Sequence, residues 1–152
     1  MTQSISFPSV TPNFSLPLLF AGQAQKEFFV NQSFALIDAM LRQGIAASMS
    51  APPTSPNDGE AYRITTPAEG EWTGHEDEIA IRIAGAWSFI PAADGMLLFD
   101  RAAGQFILFR SGWRSAFNPG NLQGGDVVDL EARTAILELI EALRTIGILS
   151  ES

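Results

Sequence analysis

The residues with the clearest chemical potential in this sequence lie in one acidic loop. The only histidine of the chain, His75, stands among five carboxylates: Glu69, Glu71, Glu76, Asp77 and Glu78. Such a density of carboxylates could bind a hard cation such as calcium. The spacing is not that of an EF-hand loop, however, and consecutive side chains of a loop point in different directions. We therefore predict a solvated acidic loop that holds no metal ion.

Catalytic residues are not recognisable elsewhere in the sequence. The chain has no cysteine, which excludes disulfides, thiol catalysis and thiolate metal sites. Asp94 and Asp100 could in principle form the carboxylate pair of a glycoside hydrolase, but nothing in the sequence selects them. Nucleophile elbows, phosphate loops and dinucleotide fingerprints are also absent from the sequence. We predict that the protein is not an enzyme and needs no cofactor.

Four aromatic side chains could either bind a sugar or fill a core. Sugars are often held against exposed aromatic faces that are flanked by polar groups. Trp72 lies in the acidic loop between two glycines, so we expect it to be exposed, and with Tyr62 it is the candidate glycan contact. Trp87 and Trp113 each begin a predicted strand after a glycine turn, and we expect both in the core.

The composition predicts a globular protein with some apolar surface left for a partner chain. The 152 residues are enough for one domain, and 46% of them are hydrophobic. Only 17% are charged, against roughly 25% in a typical soluble domain. The net charge of −8, with nine Lys and Arg residues spread thinly, argues against binding to nucleic acid or to an anionic membrane. No run of about 18 apolar residues is present, so we predict no membrane span.

The chain begins with an apolar segment that cannot be helical. Pro8, Pro12 and Pro17 interrupt residues 1–19, so we predict an extended arm. An apolar arm must lie on a surface, which is either its own domain or a neighbouring subunit. No Lys or Arg precedes Ser9, which argues against a signal peptide and predicts synthesis in the cytoplasm.

A helix is predicted within residues 20–45, roughly from Gly22 to a C-cap at Gly44. Its apolar residues recur at intervals of four, three and four, which makes one stripe along the helix. We expect this stripe to pack on a sheet. Its members are Val30, Phe34, Ile37 and Leu41.

Short strands are predicted in residues 52–118, which we interpret as one small antiparallel β-domain. A loop rich in proline and ending in Asn-Asp-Gly precedes them. The strands are expected at 61–65, 79–83, 87–90, 96–100, 105–110 and 113–117. Ala84-Gly85 is a candidate two-residue turn. With the helices on either side, the fold class is α+β.

A helix is predicted for the last segment, residues 126–150, which follows a glycine-rich linker. Asp126 or Asp129 would cap it, and it would run to about Ile148. Its apolar residues follow a heptad seam, which is typical of helices that associate with copies of themselves. The predicted oligomerisation residues are Ile136, Leu139, Ile140, Leu143 and Ile146. The alternatives are that the helix packs back on the sheet or docks on a different protein.

A polar run opens the first helix and carries a family resemblance. Its residues are Gly22, Gln23, Gln25, Lys26, Glu27 and Asn31, and we interpret them as structural, fixing the helix to the β-region or to an adjacent subunit. Together with Asp58-Gly59-Glu60-Ala61-Tyr62, Trp72-Thr73-Gly74-His75 and Gly85-Ala86-Trp87, this run resembles an uncharacterised domain family of phages and phage-like gene transfer agents. Members of that family are often seen in spike or fibre proteins. The resemblance covers roughly Pro12 to Trp113.

The resemblance implies a structural component of a phage-like particle. Similar proteins often continue into a longer C-terminal region that contacts the host. We therefore expect this chain to be an oligomeric base or adaptor of a head spike or fibre. Its expected partners are copies of itself and a capsid or fibre subunit, and its expected location is the particle. The alternative is a carbohydrate-binding module that contacts host surface polysaccharide directly.

Overall fold

The computed structural model describes residues 10–13, 16, 18, 19, 26–119 and 129–150. The chain forms two compact units, residues 1–91 and residues 92–152. Each unit contains a helix and β-strands, so the predicted α+β class is confirmed. The segment 52–118, predicted as one β-domain, contributes strands to both units. No helix in the described part of the chain is long and apolar enough to cross a lipid bilayer.

The first unit contains one helix and five strands: α1 (Lys26–Leu41), β1 (Gly44–Ile45), β2 (Ser48–Met49), β3 (Ala61–Ile64), β4 (Ile79–Ile83) and β5 (Ala86–Ile90). Four of the strands form a sheet in the order β2-β3-β4-β5. The β3–β4 and β4–β5 pairs are antiparallel, but β2 runs parallel to β3, with Ser48 opposite Arg63. The strands predicted within 52–118 thus pair antiparallel as expected, and β2, which lies before that segment, adds one parallel pair. A two-residue strand carries no periodic signal by which the sequence could have shown it.

The turn between β4 and β5 forms as predicted. Ala84 and Gly85 both have positive φ, 49° and 76°, as a type I′ hairpin turn requires. The Asp58 carboxylate braces this turn by accepting a hydrogen bond of 3.1 Å from the N–H of Gly85.

Helix α1 ends at Leu41, earlier than predicted, while its predicted start at Gly22 lies outside the described residues. It also exposes part of the face that was expected to be buried. Gln43, not Gly44, takes the positive φ at the C-terminal end, while Gly44 begins β1. In the predicted apolar stripe Ile37 and Leu41 are exposed, while the buried residues of α1 are Glu27, Asp38 and Ala39. The expectation that the stripe packs on the sheet is met only in part, since Val30 and Phe34 are half-buried, whereas the arm is held on the neighbouring side of the helix by Asp38.

The second unit contains β6 (Leu97–Asp100), β7 (Gln105–Phe109), β8 (Trp113–Ser115) and α2 (Leu130–Thr145). The strands are antiparallel neighbours, β6 beside β7 and β7 beside β8. Asp129 caps α2, since its side chain accepts a hydrogen bond of 2.9 Å from the N–H of Ala132. This confirms one of the two predicted caps. The other, Asp126, and most of the predicted linker lie outside the described residues.

Helix α2 ends in a Schellman motif that the sequence analysis missed. Gly147 has a φ of 73°, its N–H donates to the carbonyl of Arg144, and the N–H of Ile148 donates to that of Leu143. The carbonyl of Gly147 in turn accepts a hydrogen bond of 2.6 Å from the N–H of Phe106. Leu149 is buried just beyond. The end of the helix is thus tied to the β6–β7 hairpin.

Substitution of Gly147 by alanine should lower the free energy of unfolding of the second unit by about 2 kcal/mol. A left-handed alanine costs about 1 kcal/mol by itself, and the new Cβ would lie 2.7 Å from Cε2 of Phe99. Gly104→Ala is the matched control, because Gly104 also has a positive φ, 68°, but has no atom within 4 Å of the added Cβ. Urea unfolding of both variants tests this, and equal losses would contradict it.

Candidate assembly surfaces

Much of helix α2 is not covered by the rest of the chain. None of its 16 residues is buried. Among the predicted oligomerisation residues Ile136, Leu139 and Ile146 are exposed, Leu139 to 59%, while Ile140 and Leu143 are half-buried. The half-buried Ile140 and Leu143 are the part of the seam that the rest of the chain covers, so packing of the helix back on the sheet stays an alternative. Its association with copies of itself stays a prediction.

The charges of α2 lie away from this seam. At 100° per residue, Glu141 falls on the side of the helix opposite Leu139, and Glu131 and Glu138 fall on its flank, roughly 80–100° away from Leu139. Ala135 and Ala142 flank the seam and add only small apolar groups to it. A partner helix could thus approach the seam without removing a carboxylate from water, which would be costly.

The arm is fastened to α1 of the same chain by a buried carboxylate. Asp38 is completely buried and accepts hydrogen bonds from the Thr11 hydroxyl (2.7 Å) and from the N–H of Asn13 (2.9 Å). The Thr11 hydroxyl also accepts a hydrogen bond of 2.9 Å from the N–H of Leu16. For the described residues of the arm, the prediction that it packs on its own domain is confirmed. Residues 1–9 lie outside the described part.

Asn31 fixes a second point of the arm. Its side-chain amide accepts a hydrogen bond of 2.8 Å from the N–H of Leu19 and donates one of 3.0 Å to the carbonyl of the same residue. The amide thus pairs with a backbone group as a neighbouring strand would. This agrees with the structural role predicted for Asn31. Of the remaining motif residues Lys26 is exposed and Glu27 is buried, whereas Gly22, Gln23 and Gln25 lie outside the described residues.

A cleft of about 600 Å³ lies within the first unit, between the arm, α1 and the β4–β5 hairpin. Its walls are mainly apolar and include Leu18, Phe28 and Ile83, while Glu27 and Arg82 add charged groups. The volume falls within the range of small-molecule pockets. The sequence analysis missed this cleft, because its walls come from four segments that are far apart in the chain.

The expected exposure of Trp72 is wrong. The residue ends a 3₁₀ turn at Gly70–Trp72, which carries the indole into the core, where it is 0% exposed. Tyr62 is buried as well, and its ring centroid lies 5.9 Å from that of Trp72. Neither ring offers a free face to a sugar. Trp87 packs edge-on against Trp72 at 5.2 Å and, like Trp113, is half-buried.

Two carboxylates of the acidic loop, those of Glu71 and Glu78, have separate hydrogen-bond partners. Glu71 accepts a hydrogen bond of 3.0 Å from the indole N–H of Trp87, and Glu78 lies 2.7 Å from Nδ1 of His75. The His75 ring stacks on Phe89 at 3.6 Å. Backbone N–H groups, above all its own, lower the pKa of Glu76. The described residues contain no group of three or more His, Asp or Glu side chains that could hold a metal ion.

Asp94 and Asp100 each hold a turn in the second unit. Asp94 accepts a hydrogen bond of 2.7 Å from the N–H of Ser111. Asp100 is buried and accepts hydrogen bonds from the N–H groups of Ala102 (3.0 Å) and Ala103 (3.1 Å). Both aspartates therefore have a structural role as hydrogen-bond acceptors for turns.

Comparison with known proteins gives one family match. The family described as "Protein of unknown function (DUF2793)" matches residues 30–114 of this chain. The match takes in most of α1 and all strands from β1 to β7, and it ends within β8. The search of curated proteins found no match.

Proposed function

This chain belongs to the DUF2793 family of proteins of unknown function, and from that premise we propose that it is an assembly subunit of a phage-like particle. In this proposal it is the oligomeric base or adaptor of a head spike or fibre that supports attachment to the host. Its partners are further copies of itself and a capsid or fibre subunit. The protein is made in the bacterial cytoplasm and ends up in the particle.

The observation that carries this proposal is the uncovered apolar seam of α2. An isolated helix of 16 residues is marginal in water, so most of its stability must come from packing. A buried Leu or Ile side chain contributes roughly 1.5–3 kcal/mol. Burial of the exposed seam residues would therefore contribute several kcal/mol of stabilising free energy, which this helix gains only when a partner covers them. A heptad spacing favours association with copies of the same helix, because the apolar residues of one seam pack between those of an identical seam.

The proposed mechanism is assembly through α2. The helix is tied to the β6–β7 hairpin through Gly147, so each copy brings its own strands to the end of a helical bundle. Exposed carboxylates on the other side of the helix keep the bundle soluble. The link with particles is supported by the resemblance of the helix-start motif and the Gly-Trp segments to proteins of spikes and fibres. An assembly role also agrees with a sequence that lacks a recognisable catalytic constellation.

Incorporation into particles tests this proposal. DNA-containing particles would be purified by density gradient from source cells that carry wild-type protein, Leu139→Glu or Thr134→Glu, and the chain would be quantified by mass spectrometry. Leu139→Glu places a charge in the seam, whereas Thr134→Glu places the same charge on the opposite face of α2. We expect the wild-type and Thr134→Glu proteins in particles and a loss of at least tenfold for Leu139→Glu. Absence of the wild-type protein from particles would contradict the proposal.

Direct binding to host polysaccharide is the second candidate function, and the cleft of the first unit favours it. The polar side chains of Gln32, Asp58 and Ser88 line apolar walls there, a combination typical of sugar sites. Calorimetry with host surface polysaccharide would test it. Binding that is weakened by Gln32→Ala but not by Thr134→Glu would favour this function, and no heat of binding would exclude it.

A further inference from the structure

Helix α1 exposes a second apolar surface, on the first unit. Its outer face, as we call it, is the side of α1 turned away from Asp38, and it consists of Phe29, Val30, Ser33, Ile37, Met40 and Leu41. Phe29 is 77% exposed, Ile37 50% and Leu41 58%. Large apolar side chains that recur on one side of a helix normally mark the side that is buried.

The outer face is unusually free of charge. The carboxylates of α1, on Glu27 and Asp38, are both buried on the side that faces the arm. Lys26 is the one charged residue near the outer face, and it is the first residue of the helix. The hydroxyl of Ser33 already donates a hydrogen bond of 2.8 Å to the carbonyl of Phe29. Covering this face would therefore leave no carboxylate or hydroxyl without a partner.

Ser33 gives the face its shape. It is exposed and lies at the middle of the helix Lys26–Leu41, with large residues four positions away on either side, Phe29 and Ile37. A small residue between large ones along an i±4 ridge lets two helices approach closely. A two-fold antiparallel pair brings the two midpoints together at the axis, and it also keeps the two Lys26 side chains apart.

We propose that the outer face of α1 is a contact between two copies of this chain, in which the helices pack antiparallel with Ser33 at the two-fold axis. We infer that a second copy of the chain covers this face for two reasons. The face is complementary to itself under a two-fold rotation, and it carries no carboxylate that would attract a positively charged partner. Phe29 alone exposes roughly 150 Å², since aromatic side chains bury 150–250 Å² each and Phe29 is 77% exposed. The exposed parts of Ile37 and Leu41 add to this area, and the three residues together supply a substantial part of the ~800 Å² per partner of a standard interface.

This surface lies in the first unit, whereas the seam of α2 lies in the second. A particle subunit with both would have two different self-contacts, one that forms a bundle and one that joins copies in pairs. Two different self-contacts can join closed oligomers to one another, or can add a second contact between the subunits of one ring.

Cysteine crosslinking tests the proposal, because the native chain has no cysteine. Helices packed at 8–10 Å place facing Cα atoms within the 4.4–6.8 Å that a disulfide spans. Full-length Ser33→Cys should form a disulfide-linked dimer under mild oxidation at least tenfold faster than Gln32→Cys. The control position is also exposed on α1 but lies to one side of the outer face.

Two further variants separate this contact from the α2 seam. Adding Phe29→Glu to Ser33→Cys should slow crosslinking at least tenfold, and Phe29 is exposed enough for its replacement to leave the fold intact. Adding Leu139→Glu disrupts the seam, and the fall in solution mass of that variant relative to Ser33→Cys, measured without oxidant, reports on the seam. Selective crosslinking at Ser33 with or without Leu139→Glu supports the contact. Equal rates at Ser33 and Gln32 in both backgrounds would overturn it.

Discussion

Replacement of Trp72 by alanine should lower the free energy of unfolding of the first unit by about 3–5 kcal/mol. The indole is 0% exposed and contacts the rings of Tyr62 and Trp87 at centroid distances of 5.9 and 5.2 Å. Removing it leaves a large cavity among Tyr62, Ile64 and Ala80, which the sheet can fill only in part. Urea unfolding followed by circular dichroism measures the loss without relying on tryptophan fluorescence.

Trp72→Phe is the matched control for this prediction. The indole N–H is buried and has no hydrogen-bond acceptor among the described residues, so phenylalanine removes a polar group that has no partner there. We expect Trp72→Phe to cost about 1–2 kcal/mol, well below the alanine variant. If both substitutions lowered the free energy of unfolding by the same small amount, with the fold retained, Trp72 would not lie in the core. Any sugar binding lost with Trp72→Ala should thus be attributed to unfolding.

The second large effect is expected from Asp38→Ala, which should destabilise the first unit by about 3 kcal/mol. The carboxylate is completely buried and accepts hydrogen bonds from the Thr11 hydroxyl and the N–H of Asn13. Hydrogen bonds to a charged group are each worth roughly 1.5–3 kcal/mol, and their donors would be left buried. The measurement is urea unfolding, with hydrogen exchange at Asn13 and Leu16 to report on release of the arm.

Thr11→Ser is the control for the arm, since it keeps the hydroxyl that joins Asp38 to the N–H of Leu16. It should cost less than about 1 kcal/mol. Rapid exchange at Asn13 in the wild-type protein, or a loss below about 1 kcal/mol for Asp38→Ala, would contradict the role assigned to this aspartate.

The strands of the fold were largely predictable, because their signals are local. The alternation of Ile, Ala, Ile, Arg and Ile places β4 at its observed position, and two residues with turn chemistry define the β4–β5 hairpin. The strands β6 and β7 were likewise found to within a residue at their ends. The parallel pairing of β2 with β3 was not predictable, since two residues carry no period.

The position of Trp72 depended on tertiary contacts that no local pattern shows. Its flanking glycines and carboxylates are typical of an exposed loop, yet Glu71 turns to the indole of Trp87 and the 3₁₀ turn drives Trp72 inward. The face of α1 was misassigned for a related reason. Its apolar stripe was expected in the core, but the residues that α1 buries lie on a neighbouring side, where Asp38 binds the arm, and Ile37 and Leu41 remain exposed.

The α2 part of the candidate site was predictable because a heptad seam is a property of one segment. Its spacing identified Ile136, Leu139 and Ile146, which the structure leaves exposed. The outer face of α1 was not predictable as a surface. The same residues, Ile37 and Leu41, fit a core helix equally well until the position of the arm is known.

The central claim is that α2 assembles copies of the chain, and the solution mass of the full-length protein tests it most directly. Light scattering over a range of concentrations would compare the wild-type protein, Leu139→Glu and Thr134→Glu. We predict an integral multiple of the 16.4 kDa chain mass for the wild-type and Thr134→Glu proteins, and a smaller species for Leu139→Glu. A 16.4 kDa monomer for all three at micromolar concentration would contradict the claim.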